Sequence, residues 1–144
     1  MKTRIALGVI VMICALAQAG FAGPSDVLNK YFNDTACKVK ATSDPAQKRE
    51  ILSKSLQTMT TVLDKVEASA LVPESDRAGI EHFKATVQEK QDELIGSNGY
   101  QRVADAQLNN FSDYVVQDME QAPHTVTISL VTLLLIILIL VLII

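Results

Sequence analysis

Apolar residues recur along the middle of the chain with the period of helices that bury one face. Val27, Leu28, Tyr31, Phe32, Ala36 and Val39 predict a first helix over 25–41. Thr42-Ser43-Asp44-Pro45 breaks that pattern and starts the next, because an Asp before Pro can cap a helix whose first position suits proline. The second helix, over 45–71, has the sharpest pattern. Leu52, Leu56, Met59, Leu63, Val66 and Ala70 are spaced 4, 3, 4, 3, 4. That is a heptad seam, a narrow stripe suited to a neighbouring helix. Lys48, Arg49, Glu50, Lys54, Asp64, Lys65 and Glu67 fall off the seam and are expected to be solvated.

Val72-Pro73 ends this helix, since proline cannot continue the hydrogen-bond ladder. Glu74, Ser75 and Asp76 supply acid to the N-terminus of a third helix over 74–95, which carries Ile80, Phe83, Val87 and Leu94 on one side. Gly96-Ser97-Asn98-Gly99 is a dense turn signal. A fourth helix over 100–121 would carry Tyr100, Val103, Ala104, Gln107, Phe111, Tyr114, Val115 and Met119, with Pro123 separating it from the apolar C-terminal stretch. There is no strand alternation and no internal repeat.

The two ends break this amphipathic pattern. Residues 1–22 have the order of a secretory signal peptide: Lys2 and Arg4, an uncharged run from Ile5 to Leu16, then small residues with A-x-A-type sites before Gly20 and Gly23. The bulky Ile13 before Cys14 speaks against a lipoprotein leader. Residues 125–144 carry no charge, and Leu133 to Ile144 are all Leu, Ile or Val. As one helix, 20 residues span about 30 Å, the thickness of a bilayer's hydrocarbon core.

The expectation is therefore an all-α protein, a small antiparallel bundle of three to four helices followed by a single C-terminal transmembrane helix. Its segments are a signal peptide (1–22), an extracytoplasmic bundle (23–124) and a membrane span (125–144). The leader would export the body to the periplasm or cell exterior, and residues 125–144 would hold it to membrane lipid. A tail exchanged for a glycosylphosphatidylinositol anchor has a similar outline. The upstream window with Asp113, Tyr114, Val115 and Val116 suits it poorly, although Asn33-Asp34-Thr35 and Asn110-Phe111-Ser112 match the glycosylation sequon.

Charge narrows the function classes. Of 13 Lys and Arg, two lie in the leader, which leaves 11 against 16 Asp and Glu, a net charge of about −5. A nucleic-acid binder would need a basic face. Candidate chemistry is sparse. Only His82 and His124 are present, and no Glu has a His three residues later, as a di-metal bundle would need. There is no haem-attachment, zinc or phosphate-loop motif. Glu89, Asp92 and Glu93 form an acidic patch that a solvated helix face explains better than a cation site. No catalytic, cofactor-binding or metal residue is assigned, no cofactor is expected, and an enzyme is not expected.

Two features stay open. Loss of Cys14 with the leader leaves Cys37 as the lone thiol in an oxidising compartment, where it forms an intermolecular disulfide or is buried as a small residue. Thr125, Ser129 and Thr132, spaced 4 and 3, share a face of the expected span. They are a candidate helix-association face, or their hydroxyls bond their own helix's carbonyls. The leading functional expectation is a non-enzymatic structural or interaction module, joined through its bundle to a second copy or a protein partner. The alternative is a binding protein with an apolar ligand in the bundle core, lined by Tyr31, Phe32, Phe83, Phe111 and Tyr114.

Overall fold

The computed structural model describes residues 24–125 and 128–144. The expected signal peptide, its cleavage sites and Cys14 lie outside the described residues. Five α-helices follow one another with no strand among the described residues. They are α1 (Pro24–Ala41), α2 (Pro45–Glu67), α3 (Arg77–Ile95), α4 (Leu108–Thr125) and α5 (Leu130–Ile143). Short 3-10 turns at Glu74–Asp76 and Asp105–Gln107 lead into α3 and α4.

Local chemistry sets the first boundaries. The Asp44 carboxylate accepts from the Ala46 N–H at 3.1 Å, and Pro45 occupies the first turn of α2. Each satisfies or removes a donor that a helix start leaves orphaned. The 42–44 connection is short enough to force α1 and α2 into antiparallel neighbours. Gly96 ends α3 in the left-handed conformation (φ 79°), where its N–H reaches the Asp92 carbonyl at 2.8 Å.

Helices α1 to α4 pack in a ring, each against the next and α4 back against α1. The seam of α2 is the centre of the core: Leu52, Leu56, Met59, Leu63 and Val66 are buried, joined by Val62. Leu28, Phe32 and Val39 of α1, Ile80, Phe83, Val87 and Leu94 of α3, and Leu108, Phe111, Val115 and Met119 of α4 close around it. Across the α2–α3 contact, Lys84 pairs with Asp64 and Glu67, each at 2.7 Å. Helix α5 lies outside this ring along the groove between α1 and α2, and sends Ile136 and Leu140 inward.

Three expectations need correction. The second helix stops at Glu67 rather than 71, so Ala70 is an exposed residue beyond the seam. The fourth helix starts at Leu108, not 100. Residues 100–104 run without helix, and Arg49 holds the Val103 carbonyl of this segment from across the bundle. Finally, 125–144 is not one rod. Helix α4 continues past Pro123 to Thr125, and a new helix begins at Leu130 with Ser129 as its cap. The apolar helix is then 14 residues, about 21 Å at 1.5 Å per residue. Among the described residues, no helix is long and apolar enough to cross a membrane.

Candidate functional site

The expected chemistry-bearing residues occupy four separate places. Cys37 lies half-buried on α1 as a disulfide-bonded residue, not a free thiol. His82 is exposed beside the buried Phe83. The acidic patch is divided: Glu93 and Glu89 face Lys90, while Asp92 turns to the Gly96 corner. There the Asp92 carboxylate accepts from Gln88, Ser97 and Asn98. Hydrogen bonds from Asn98, Gln88 and Ser97 hold its pKa below the usual carboxylate value. Among the described residues, no group of three or more His, Cys, Asp or Glu could hold a metal ion. Of the aromatic residues considered for a ligand pocket, Phe32, Phe83 and Phe111 fill the core, and Tyr114 is 41% exposed.

Thr125, Ser129 and Thr132 are parted by the helix break. Thr125 ends α4, whereas Ser129 and Thr132 meet at the N-terminus of α5, with their oxygens 3.4 Å apart. Neither hydroxyl turns to its own helix's carbonyls. Both donate to one carboxylate oxygen, Oδ2 of Asp76: Ser129 Oγ at 2.5 Å and Thr132 Oγ1 at 2.5 Å, with the Ser129 N–H at 3.2 Å. Asp76 precedes α3 but makes no side-chain cap to it. It caps α5 instead, where both the free N–H and the helix dipole favour an anion. Asp76 is 1% exposed and Thr132 is fully buried, so the carboxylate has exchanged water for three donors. The Ser129 and Thr132 hydroxyls hold its pKa below the ordinary value; burial opposes this and loses.

A second polar cluster joins α3 to α4. The Lys90 side chain is fully buried, with Nζ at 2.7 Å from Asp118 Oδ2 and 2.9 Å from Glu93 Oε1. The ammonium also stands 3.9 Å from the centre of the Tyr114 ring, in cation–π geometry. A third cluster is built on Arg49 of α2. Its guanidinium donates to the Leu94 carbonyl at 3.0 Å, to the Val103 carbonyl and to Asp105 Oδ1 at 2.8 Å. One planar fork thereby ties the end of α3 to the segment before α4.

Sequence reasoning missed all three of these residues. Lys90 had a visible signal. It lies on the row Phe83, Val87, Lys90, Leu94, spaced 4, 3, 4, so a cation occupies a core position of α3. Arg49 and Asp76 had none, because their partners lie 45 to 56 residues away.

At the far end of α5 a surface cleft of about 290 Å³ opens beside Ile144, lined by Tyr31, Thr35, Lys38, Ile51 and Lys54 among others. Tyr31 is fixed there by donating to the Ser55 carbonyl at 2.9 Å. The outer face of α5 is apolar and open: Leu130, Leu134, Leu138, Val141 and Leu142 are exposed, as are Val131 and the last two isoleucines. The chain matches no family model, no curated protein and no solved structure.

Proposed function

We propose that this protein is an exported helical bundle held at the outer side of a membrane by residues 125–144, where it acts as a non-enzymatic interaction module. The observation that carries this reading is the outer face of α5. Eight large apolar side chains of one short helix and its final residue stand exposed, and contiguous apolar surface of that kind marks a membrane or protein interaction site. The leader-like residues 1–22 supply the export step, and the acidic body, at about −5, suits a solvated position beside the membrane rather than contact with nucleic acid.

Magnitudes support two environments for the tail. Burying Ile136 and Leu140 on the bundle is worth roughly 3–6 kcal/mol at 1.5–3 kcal/mol per side chain. The twelve residues 133–144, all Leu, Ile or Val, gain roughly 4–7 kcal/mol on insertion at about 0.3–0.6 kcal/mol each. Groove and bilayer are thus of similar depth. In lipid every backbone group must be satisfied internally. The inserted tail would therefore need more helix than α5 alone supplies. Anchoring confines the bundle to a surface and raises its effective concentration toward a second copy or a protein partner there.

Carbonate extraction of membranes from cells that make the full chain tests the reading. The expected result is protein that stays with the lipid, with Ile144 retained when the C-terminal peptide is sequenced, and a body open to protease from the exported side. Mature protein that washes into the supernatant with Ile144 intact overturns anchoring by the tail. Pelleted protein that lacks the tail replaces it with a lipid anchor.

A further inference from the structure

The Asp76 carboxylate leaves its own helix uncapped and takes three donors from the start of α5. Beneath that contact Ile136 and Leu140 enter the α1–α2 groove, while the opposite face of α5 stays open. A helix that is apolar all round is only half satisfied by such a groove, whereas a bilayer covers it on every side. The polar contacts behave differently. In lipid the Ser129 and Thr132 hydroxyls can turn to their own helix's carbonyls. Asp76, part of the bundle, cannot follow, and returns to water or to the free N–H groups of α3. Its three hydrogen bonds to the tail exist only while the tail lies on the body.

We propose that Asp76 is a latch: it keeps α5 stowed in the groove between α1 and α2, and breaking its hydrogen bonds to Ser129 and Thr132 releases the tail into a bilayer. This rests on the reading of the tail as a membrane anchor. The charge on Asp76 sets the specificity of the latch. A carboxylate accepts from all three donors at once, and such charge-assisted bonds are roughly twice as strong as neutral ones. The same event that frees the tail uncovers the α1–α2 groove, so stowage and exposure of that groove are mutually exclusive.

The test is flotation of the full chain, diluted from mild detergent, with vesicles of phosphatidylcholine and phosphatidylglycerol. Asp76→Ala removes the acceptor. Ser129→Ala with Thr132→Val removes the two hydroxyl donors, keeps the Ser129 N–H and leaves α3 untouched. Far-UV circular dichroism verifies that the helices persist in each. Both variants should raise the ratio of vesicle-bound to free protein about tenfold or more over the parent, as expected for the loss of hydrogen bonds to a charged group. A disulfide between Asp76→Cys and Ser129→Cys should hold the protein off vesicles when oxidised and release it when reduced, whereas the parent responds little to reductant. Equal flotation of every form overturns the latch and leaves anchoring intact. If no form floats, including those with the clasp removed, anchoring by the tail fails and the latch with it.

Discussion

Replacing Lys90 with methionine removes a cation from the bundle interior and keeps most of the side-chain volume. The ammonium makes two short charge-assisted bonds, to Asp118 and Glu93, and a ring contact with Tyr114. Bonds to charged groups are worth about 1.5–3 kcal/mol each and the ring contact about 1 kcal/mol. Two effects reduce that sum. The lysine no longer has to be desolvated, and the carboxylates, 19% and 31% exposed, regain water. The net loss is about 2–3 kcal/mol, below the 3–5 kcal/mol for breaking a fully enclosed pair. At about 4 °C per kcal/mol for a domain of this size, the melting midpoint falls by about 8–12 °C.

Urea unfolding followed by circular dichroism measures the loss, and a cycle with Asp118→Asn isolates the pair. Burial acts to lower the lysine's pKa, but Asp118, Tyr114 and Glu93 together outweigh it and hold the pKa above the usual 10.5. A raised pKa gives stability that is complete below the unfolded value and lost only as pH rises through the folded one. The lysine's contribution is therefore flat from about pH 6 to 9. A Lys90→Met protein as stable as the parent, or more stable, refutes the reasoning: the cluster would then repay no more than its own desolvation.

The Arg49→Gln variant should lose about 1–2 kcal/mol and speed amide exchange across residues 96–107, because the carbonyls of Leu94 and Val103 lose their donors; unchanged exchange there contradicts the clamp. Alanine at Gly96 should cost more than alanine at Gly99. Both have positive φ, worth about 1–2 kcal/mol to a side chain, but only at Gly96 would the added carbon fall 2.8 Å from Arg102; equal losses would remove the steric argument. The depressed pKa of Asp76 predicts that its contribution to tail docking is complete above its ordinary value of 3.8 and fades as pH falls through the lower folded value. Exchange of the α5 amides should hence rise in acid and lose that dependence in Asp76→Asn; an unaltered profile in the variant points to another group.

Periodicity and punctuation made most of the fold legible. The buried positions of α2 are the heptad row from Leu52 to Val66, and Asp44-Pro45 marks its start to the residue. Gly96 marks the end of α3 as expected, since a left-handed cap needs a residue without a Cβ. Tyr100, Val103 and Ala104 continue an apolar rhythm ahead of the fourth helix, which begins only at Leu108, and a distant arginine holds the Val103 carbonyl of that stretch. Arg49 itself reads as a solvated residue off the seam, because helical spacing reports the face a residue occupies and not how far a long side chain reaches.

The chain's own pattern thus determines that this is an all-helical bundle, which stripes face inward, and that its tail is apolar, with residues 133–144 all Leu, Ile or Val. All of that follows from local geometry, where side chains three or four residues apart share a face. Only the tertiary structure decides that a helix break at Ser129 divides that tail, and that α5 lies against α1 and α2. The same holds for the partners of Lys90, Arg49 and Asp76. Each depends on groups brought together from distant parts of the chain, such as Asp76 and Thr132, and on the burial that makes an unpaired charge costly. The row that buries Lys90 can be read in the order of residues, but which distant groups meet it cannot.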